Sequence, residues 1–374
     1  MQSTRQARTR GCAPVFIVGS ARSGTTLLYD MLLSAGGFAL YLGESNIFNL
    51  LAPRFGDLGV RKNRERMFEV WVGSSLFRIS GLDRRQVERS ILEDCRNAGD
   101  FLRIVMDEVA RKQGARRWAG NAPEEILHLR EIKRTIPNAL IIHMIRDGRD
   151  VSLSLSKKRY IRPFPWKERE TPEGAALYWQ WIAGKGRAAS KWLGPDYKEV
   201  RFEELISDPR AVLPSLSEFL GQDLDYDTIQ RNAVGAVARP NTSFKGSNND
   251  DQFNPVGRWK KQLTAEQLTR IEGLIGNTLL ELGYDLASTG VGPTSRTYVA
   301  WNRMIYRRFF ELKLQSKKNA LLRALRSPLT SKQVDEMVLV DEKAASRMKL
   351  EAEGNDQGLV GQRTIASQPQ GGHV

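Results

Sequence analysis

The chain has 374 residues, and its contents of 41% hydrophobic and 27% charged residues are those of an ordinary globular protein. Two cysteines, Cys12 and Cys95, and three histidines are too few for a disulfide framework or a zinc cluster, and no run of about 18 apolar residues predicts a transmembrane helix. The net charge of +14 favours an anionic partner, which could be a nucleotide, a nucleic acid, an anionic glycan or a membrane surface.

The first predicted element is a buried strand at residues 14–18, because apolar and β-branched residues dominate it. Residues 19–26 form a loop, and residues 26–35 predict a helix with Leu28 and Leu32 on its apolar face. Strand, loop and helix in this order begin an α/β unit. The apolar stretch is too short for the core of a signal peptide, so we expect an intracellular, cytoplasmic protein.

The elements that follow continue the α/β pattern. Further helical segments are predicted at residues 61–113, 123–135, 150–158, 212–220 and 264–282, and further strands at residues 38–42, 139–145 and 199–202. The last of these helices begins with a capping box, in which Thr264 is the N-cap and Gln267 follows three residues later. The polar residues 243–251 predict a mobile loop.

The C-terminal part differs in character from the rest. Residues 298–325 mix aromatic and aliphatic side chains with many cations and predict a basic amphipathic helix. Such a helix either packs on the domain and exposes a basic face, or makes a peripheral membrane contact. The tail at 345–374 is rich in Gly, Gln and Ser and predicts disorder. We therefore expect a catalytic domain at 12–287, a helical extension at 296–327 and a disordered tail.

The loop after the first strand has the spacing of a phosphate-binding loop, with Gly19 and Gly24 five residues apart. Its backbone N–H groups and the following helix N-terminus predict an anion site. The position after the second glycine, where nucleotide triphosphatases carry Lys, holds Thr25, and the loop's cation is Arg22. A 5′-phosphosulfate carries less charge than a triphosphate, so we expect these groups to bind it without a metal ion.

A second anion site is predicted after the strand at 139–145. Arg146 follows that strand, at the sheet edge where open α/β proteins bind ligands. Ser154 lies eight residues later, and the two side chains could hold a phosphate monoester. Alternatively, Asp147 and Asp150 pair with the arginines of this segment and form a structural network. Two anion sites in one sheet suggest a nucleotide with phosphates at both ends of the ribose.

These segments resemble the motifs of sulfotransferases that use 3′-phosphoadenosine-5′-phosphosulfate (PAPS), particularly the branch with tyrosylprotein and carbohydrate sulfotransferases. Residues 22–27 resemble the phosphosulfate loop, and residues 146–154 resemble the 3′-phosphate motif. Residues 247–259, ending in Gly-Arg-Trp, are similar to a further family loop, and residues 202–209 to a strand-and-turn segment. The resemblance spans roughly residues 14–285 and implies a P-loop-NTPase-like three-layer sandwich with a central parallel sheet.

The resemblance also implies a set of site residues. The donor-binding residues would be Arg22, Ser23, Gly24, Thr25, Thr26, Arg146, Ser154, Ser247 and Arg258. Arg22 would also be catalytic, and Glu44, which follows Gly43, would be the base that accepts the acceptor's proton. Other branches use a histidine base, but His143 lies in the middle of a strand and His128 on an apolar helix face, so both are interpreted as structural.

The chain departs from the family pattern at three positions. Asn121 stands where many members carry Lys, and Arg116 or Arg117 could supply the missing charge. Phe202 replaces a Tyr, which removes one hydrogen bond to the nucleotide. Arg258 stands where Lys is also common.

Two other classes of function compete with sulfuryl transfer. A small-molecule P-loop kinase is disfavoured by Thr25 in the Lys position, and a basic binding protein would use residues 298–325 without catalysis. No nucleic-acid-binding module is recognisable. The acceptor could be a glycan, lipid, peptide or small metabolite, and residues 61–113 and 160–174 are expected to form its pocket. The oligomeric state is not predicted.

Overall fold

The computed structural model describes residues 10–158, 171–238, 254–288, 296–325 and 328–337. Five parallel strands form one sheet in the order β2-β3-β1-β4-β5, with bounds β1 Val15–Gly19, β2 Phe38–Ala39, β3 Arg117–Gly120, β4 Leu140–Ile145 and β5 Tyr197–Arg201. Val15 aligns with Ala119 of β3 on one side and with Leu140 of β4 on the other. Strands β2 and β3 lie on one side of β1, and the later strands β4 and β5 lie on the other side. The topological switch point, where such sheets bind ligands, therefore lies between β1 and β4.

Helices cover both faces of this sheet. In chain order they are α1 (Thr25–Ser34), α2 (Ala52–Phe55), α3 (Arg61–Val72), α4 (Ser75–Ser80), α5 (Arg84–Asp94), α6 (Ala98–Gln113), α7 (Leu129–Thr135), α8 (Gly148–Lys158), α9 (Pro172–Leu193), α10 (Phe202–Ser207), α11 (Pro209–Leu220), α12 (Tyr226–Arg231), α13 (Gly235–Ala238), α14 (Trp259–Gln262), α15 (Ala265–Glu281), α16 (Arg296–Lys318), α17 (Ala320–Ala324) and α18 (Ser331–Met337). A π-helical turn spans Ile47–Leu51, and 3₁₀ helices span Pro123–His128 and Gly194–Asp196.

The alternation of side chains along β1 creates two hydrophobic cores. Phe16 and Val18 point into the core formed with α6, α8, α9 and α15, whereas Val15 and Ile17 point into the core formed with α1 and α11. Both faces of the strand are therefore buried, which explains its continuous apolar sequence. This arrangement confirms the predicted α/β class with a central parallel sheet between two helical layers.

Several local predictions differ from the structure. The strand predicted at 38–42 is limited to Phe38–Ala39, and the strand predicted at 199–202 spans Tyr197–Arg201. The segment predicted as one helix at 123–135 consists of a 3₁₀ helix, which begins at Pro123, and of α7, which follows it directly. The helical segment at 61–113 consists of four helices, α3 to α6.

Two elements of the core were missed, β3 and α9. β3 contains only four residues, including Arg117 and Gly120, which gave no strand signal. α9 carries glycines that lower its helical propensity, but Gly186 lies against the ring of His143, where a Cβ would come within 2.2 Å of Cε1. The close packing of α9 on β4 therefore requires glycine at position 186, and glycine is also the residue type that made this helix hard to predict from the sequence.

The basic helix α16 packs on the domain. Phe310 contacts Tyr178 and Trp181, with ring centroids 5.5 and 5.2 Å apart, and Glu311 accepts a hydrogen bond from Trp181 Nε1 at 2.9 Å. Arg303 Nε donates to the carbonyl of Leu274 in α15 at 2.6 Å. One face of this segment therefore packs on the domain, and a membrane contact of its other face stays a prediction. The tail at 345–374 lies outside the described residues, and within them no helix has the length and apolar character needed to cross a bilayer.

Candidate active site

The loop after β1 ends in a helix N-terminus that can receive an anion. Gly24 is the N-cap of α1, and no described side chain caps the first turn. The N–H groups of Thr25 and Thr26 therefore point into the loop without a capping partner. Uncapped N–H groups and the helix dipole together favour a bound negative charge at this position.

The backbone of this loop is unusual at two residues. Gly24 has φ +91°, and a Cβ there would lie 2.3 Å from Cδ2 of Phe202, so only glycine fits. Arg22 has φ +73°, which is strained for a residue with a side chain. Its carbonyl accepts a hydrogen bond from Arg146 Nη1 at 2.8 Å, which holds the strained conformation. Phe202 also lies under the Arg146 guanidinium, 4.3 Å from the ring centroid, so it packs between loop and arginine.

The two predicted anion motifs meet at the switch point. Arg146 directly follows β4 and is buried, and Arg22 Nε donates to Ser154 Oγ on α8 at 3.1 Å. Nε of Arg146 and Oγ of Ser23 are buried and have no hydrogen-bond partner among the described residues. Buried polar atoms of this kind call for a ligand that supplies the missing partner.

Arg258 is held beside these groups by the aspartates of the second motif. Asp150 accepts hydrogen bonds from the backbone N–H of Gly257 at 2.7 Å and of Trp259 at 3.0 Å, and Asp147 accepts one from Trp259 Nε1 at 3.0 Å. The aspartates therefore hold the loop that carries Arg258. Ser247, the remaining predicted donor-binding residue, lies outside the described residues.

The electrostatics of this cluster suit a phosphate ester. Burial lowers the pKa of Arg146; Asp150 and Glu203 oppose this, and the positive charges of Arg258 and Arg22 lower it further. Burial also lowers the pKa of Arg258. Three guanidinium groups that repel one another become favourable neighbours once an anion lies among them. The hydroxyls and amides nearby are hydrogen-bond donors, as phosphate oxygens require.

Arg149 has a different role from its neighbour Arg146. Its guanidinium is buried, pairs with Asp147 at 2.8 Å and with Glu272 at 2.6 Å, and stacks on Trp259 at 3.8 Å from the ring centroid. The alternative of a structural charge network is therefore correct for Arg149. Arg146 donates instead to the carbonyl oxygens of Arg22 and Pro255.

Glu44 lies half-buried just before the π-helical turn. Burial raises its pKa to about 7, the hydrogen bond from Asn46 Nδ2 at 3.5 Å opposes the increase, and the charge of Glu124 adds to it. Asn46 itself has φ +50°. A carboxylate with a pKa near neutrality is matched to proton transfer at physiological pH.

Two further carboxylates surround Glu44 and were missed in the sequence. Glu125 is fully buried and accepts a hydrogen bond from Ser45 Oγ at 3.1 Å, and burial raises its pKa to about 8. Glu124 accepts hydrogen bonds from Tyr178 Oη at 2.9 Å and from Asn49 Nδ2 at 2.5 Å. In the sequence, the two adjacent glutamates directly after Pro123 are the feature that could have indicated this carboxylate cluster.

The helical extension reaches this carboxylate cluster. Lys317 Nζ of α16 donates to Asn49 Oδ1 at 2.6 Å, and Asn49 in turn donates to Glu124. Helix α16 therefore helps to hold the carboxylate cluster of Glu44, Glu124 and Glu125 in place.

Asn121 lies at the carboxyl end of β3, where its Nδ2 approaches Thr26 Oγ1 at 3.4 Å. Asn121, which stands where many family members carry Lys, therefore lies beside the phosphate loop. The suggestion that Arg116 or Arg117 replaces the missing Lys is wrong. Both residues lie at the amino end of β3, whereas the phosphate loop lies beyond the carboxyl ends of the strands. Arg117 donates instead to the carbonyl oxygens of Ala13 and Leu220, at 2.9 Å each.

The histidines 143 and 128 are packed, as the sequence predicts. His143 is buried in β4, and its Nδ1 lies 2.6 Å from Tyr197 Oη. His128 is buried and stacks on Phe48, with centroids 6.3 Å apart. Within the described ranges no group of three His, Cys, Asp or Glu side chains has a metal-binding arrangement, and metal independence stays a prediction.

Comparison with known proteins assigns the family. Residues 14–226, more than half of the chain, match the model of the sulfotransferase family. The chain belongs to the sulfotransferase family. A comparison with curated proteins gives no significant match.

Solved sulfotransferase structures resemble this sulfotransferase at low sequence identity. The sulfotransferase domain from the curacin biosynthetic pathway is 18% identical, with a TM-score of 0.50, and the match covers 73% of this chain and 98% of that domain. The domain from the Synechococcus olefin synthase is 19% identical (TM-score 0.46; 73% and 95% covered), and a sulfotransferase from Mycobacterium avium is 14% identical (TM-score 0.43; 76% and 81% covered). At such identities the likeness to the curacin domain shows the fold alone.

Proposed function

We propose that this sulfotransferase takes the sulfuryl group from PAPS and transfers it to a hydroxyl or amine of its acceptor. The observation that carries the proposal is the meeting of two anion motifs at the switch point, where Arg22 Nε lies 3.1 Å from Ser154 Oγ. A donor with phosphate groups at both ends of its ribose needs two such motifs at one sheet edge. The acceptor class stays a prediction among glycan, lipid, peptide and small metabolite.

The donor, when bound, supplies an activated sulfuryl group on a phosphate leaving group. The N–H groups of Thr25 and Thr26 and the side chain of Arg22 would hold its 5′ end. Arg146 and Arg258, together with Ser154, would hold the 3′-phosphate. The groups at the 5′ end, the Thr25 and Thr26 N–H groups and Arg22, would stabilise the charge that develops on the leaving oxygen, which is the larger part of catalysis in such displacements.

Glu44 would accept the proton of the acceptor as its oxygen or nitrogen bonds to sulfur. Its raised pKa makes it a stronger base than an exposed carboxylate, and it remains ionised above neutrality. Glu124, held by Tyr178 and Asn49, would tune this pKa through its charge.

Calorimetry with adenosine-3′,5′-bisphosphate tests the donor site. Arg22→Ala and Arg146→Ala should each weaken binding by about 10- to 100-fold, because a hydrogen bond to a charged group contributes about 1.5–3 kcal/mol. Arg210→Ala, at an exposed arginine paired with Asp227, is the matched control and should bind like the wild type. Melting curves establish that each variant is folded.

The same measurement separates the kinase alternative. ATP with magnesium should bind weakly, since Thr25 stands in place of the Lys that binds the β- and γ-phosphates of a triphosphate. EDTA should leave sulfuryl transfer from PAPS unaffected, because the phosphosulfate is expected to bind without a metal ion. Unchanged bisphosphate affinity in both arginine variants, or tight binding of magnesium ATP, would contradict the proposal.

A further inference from the structure

Large apolar side chains are concentrated on the surface of the helical extension. Thirteen are exposed in the described part of the chain, and seven of them fall within residues 298–325: Tyr298, Trp301, Met304, Leu312, Leu321, Leu322 and Leu325. The exposed fraction is 59% for Trp301, 64% for Leu312 and 83% for Leu325. Singly scattered apolar residues are normal on a protein surface, but a clustered set marks an interaction site.

Helix α16 therefore has two apolar faces. Its inner face carries Phe310 against the domain, as described above. On the opposite side, Trp301, Met304, Arg308 and Leu312 follow one another at intervals of three or four residues, which places them on one face of the helix. The inner face attaches α16 to the domain. The apolar side chains of the outer face are exposed and do not contribute to this attachment within the described part of the chain.

The charge of the segment is strongly positive. Residues 296–325 contain eight Lys and Arg residues and one acidic residue, Glu311, so their net charge is 8 − 1 = +7, half of the +14 of the whole chain. Glu311 accepts hydrogen bonds from Trp181 and Lys185 on the domain side. The exposed Arg307 and Arg308 lie beside the outer apolar side chains.

We propose that the outer face of α16 and α17 docks on an anionic membrane surface. Trp301 and Leu312 would enter the boundary between headgroups and acyl chains, while Arg307 and Arg308 would contact the anionic headgroups. A helix with an apolar strip beside many cations, and with Trp and Tyr at its exposed end, matches this environment. A second copy of the chain is disfavoured as occupant, because it would bring the same positive charge to the interface.

Vesicle cosedimentation of the full chain tests the proposal. The wild type should bind phosphatidylcholine vesicles that contain phosphatidylserine, and bind pure phosphatidylcholine far more weakly. Trp301→Gln/Leu312→Gln keeps the charge and should lower the partition coefficient about tenfold or more, because apolar burial is lost. Arg307→Gln/Arg308→Gln should lower it about 25-fold, about fivefold for each cation near an anionic surface.

The matched control is Val60→Gln/Leu280→Gln, which removes two exposed apolar side chains elsewhere and should leave binding unchanged. Leu321→Gln/Leu325→Gln changes two exposed leucines, one in α17 and one directly after it, and should also lower vesicle binding. The melting temperature and the bisphosphate affinity of every variant should equal those of the wild type, so that lost binding reports the face and not the fold.

Three outcomes would overturn the membrane surface as occupant. The first is a wild type that does not sediment with anionic vesicles, and the second is equal binding to neutral lipid. The third is a dimer, measured by light scattering, that Trp301→Gln/Leu312→Gln dissociates without any vesicle binding by the wild type. That result would assign the outer face to a second copy of the chain.

Discussion

Replacement of Glu44 by Gln keeps the shape of the side chain and removes the proposed base. A general base typically contributes about 10²–10⁴-fold to the rate, so we expect turnover to fall by about that factor. The affinity for adenosine-3′,5′-bisphosphate should change little, because the groups that set the environment of Glu44 are Asn46 and Glu124 and not the residues proposed to bind the donor.

The pH profile of the wild type gives a sharper measure. Burial raises the pKa of Glu44 from 4.5 to about 7, and the ionised form is the base, so turnover should rise with pH and level off above about 7. Each unit below this value should cost about tenfold, which leaves roughly one-tenth of the plateau at about pH 6. An ordinary glutamate would be ionised throughout this range and would give a flat profile.

Rates of labelled sulfuryl transfer from PAPS to a hydroxyl acceptor, measured at saturating donor across this pH range, provide the assay. Glu124→Gln is the control, since it removes the neighbouring negative charge that raises the pKa of Glu44 but leaves the base in place. Its profile should move to lower pH and keep its plateau. Near wild-type turnover in Glu44→Gln, or a flat wild-type profile, would refute the assignment of Glu44 as the base.

Two predictions concern stability. Arg149→Ala leaves Asp147 and Glu272 buried without their cation, and breaking such a pair should cost about 3–5 kcal/mol of unfolding free energy in urea titrations; a cost near zero would contradict the structural role. Burial raises the pKa of Glu125 from 4.5 to about 8. Between these two pH values the folded state keeps a proton that the unfolded state has lost, so the free energy of unfolding falls as the pH rises from about 4.5 to about 8. Glu125→Gln should therefore be more stable than the wild type by about 2–4 kcal/mol near pH 8, with the difference vanishing toward about pH 4, whereas a difference independent of pH would disprove the mechanism.

The sequence by itself determined the parts that depend on a few neighbouring residues. The loop between β1 and α1, with Gly24 and Arg22, and the motif from Arg146 to Ser154 follow from backbone preferences and short spacing. The capping box at Thr264 is likewise local, and the structure contains both of its hydrogen bonds. The order of strand, loop and helix was enough to predict an α/β unit with ligands at the carboxyl end of its strands, and the resemblance of the motifs to the family implied the central parallel sheet.

Only the tertiary structure decided which distant side chains meet. Ser45 and Glu125 are 80 positions apart in the chain and share a buried hydrogen bond, and α16 reaches the same cluster from the C-terminal side. The separate roles of Arg146 and Arg149, three residues apart, depend on which partners α15 and the Trp259 loop bring to them. Burial and charge at a site are sums over contacts between distant segments, and for that reason the raised pKa of Glu44 appears only once the chain is folded.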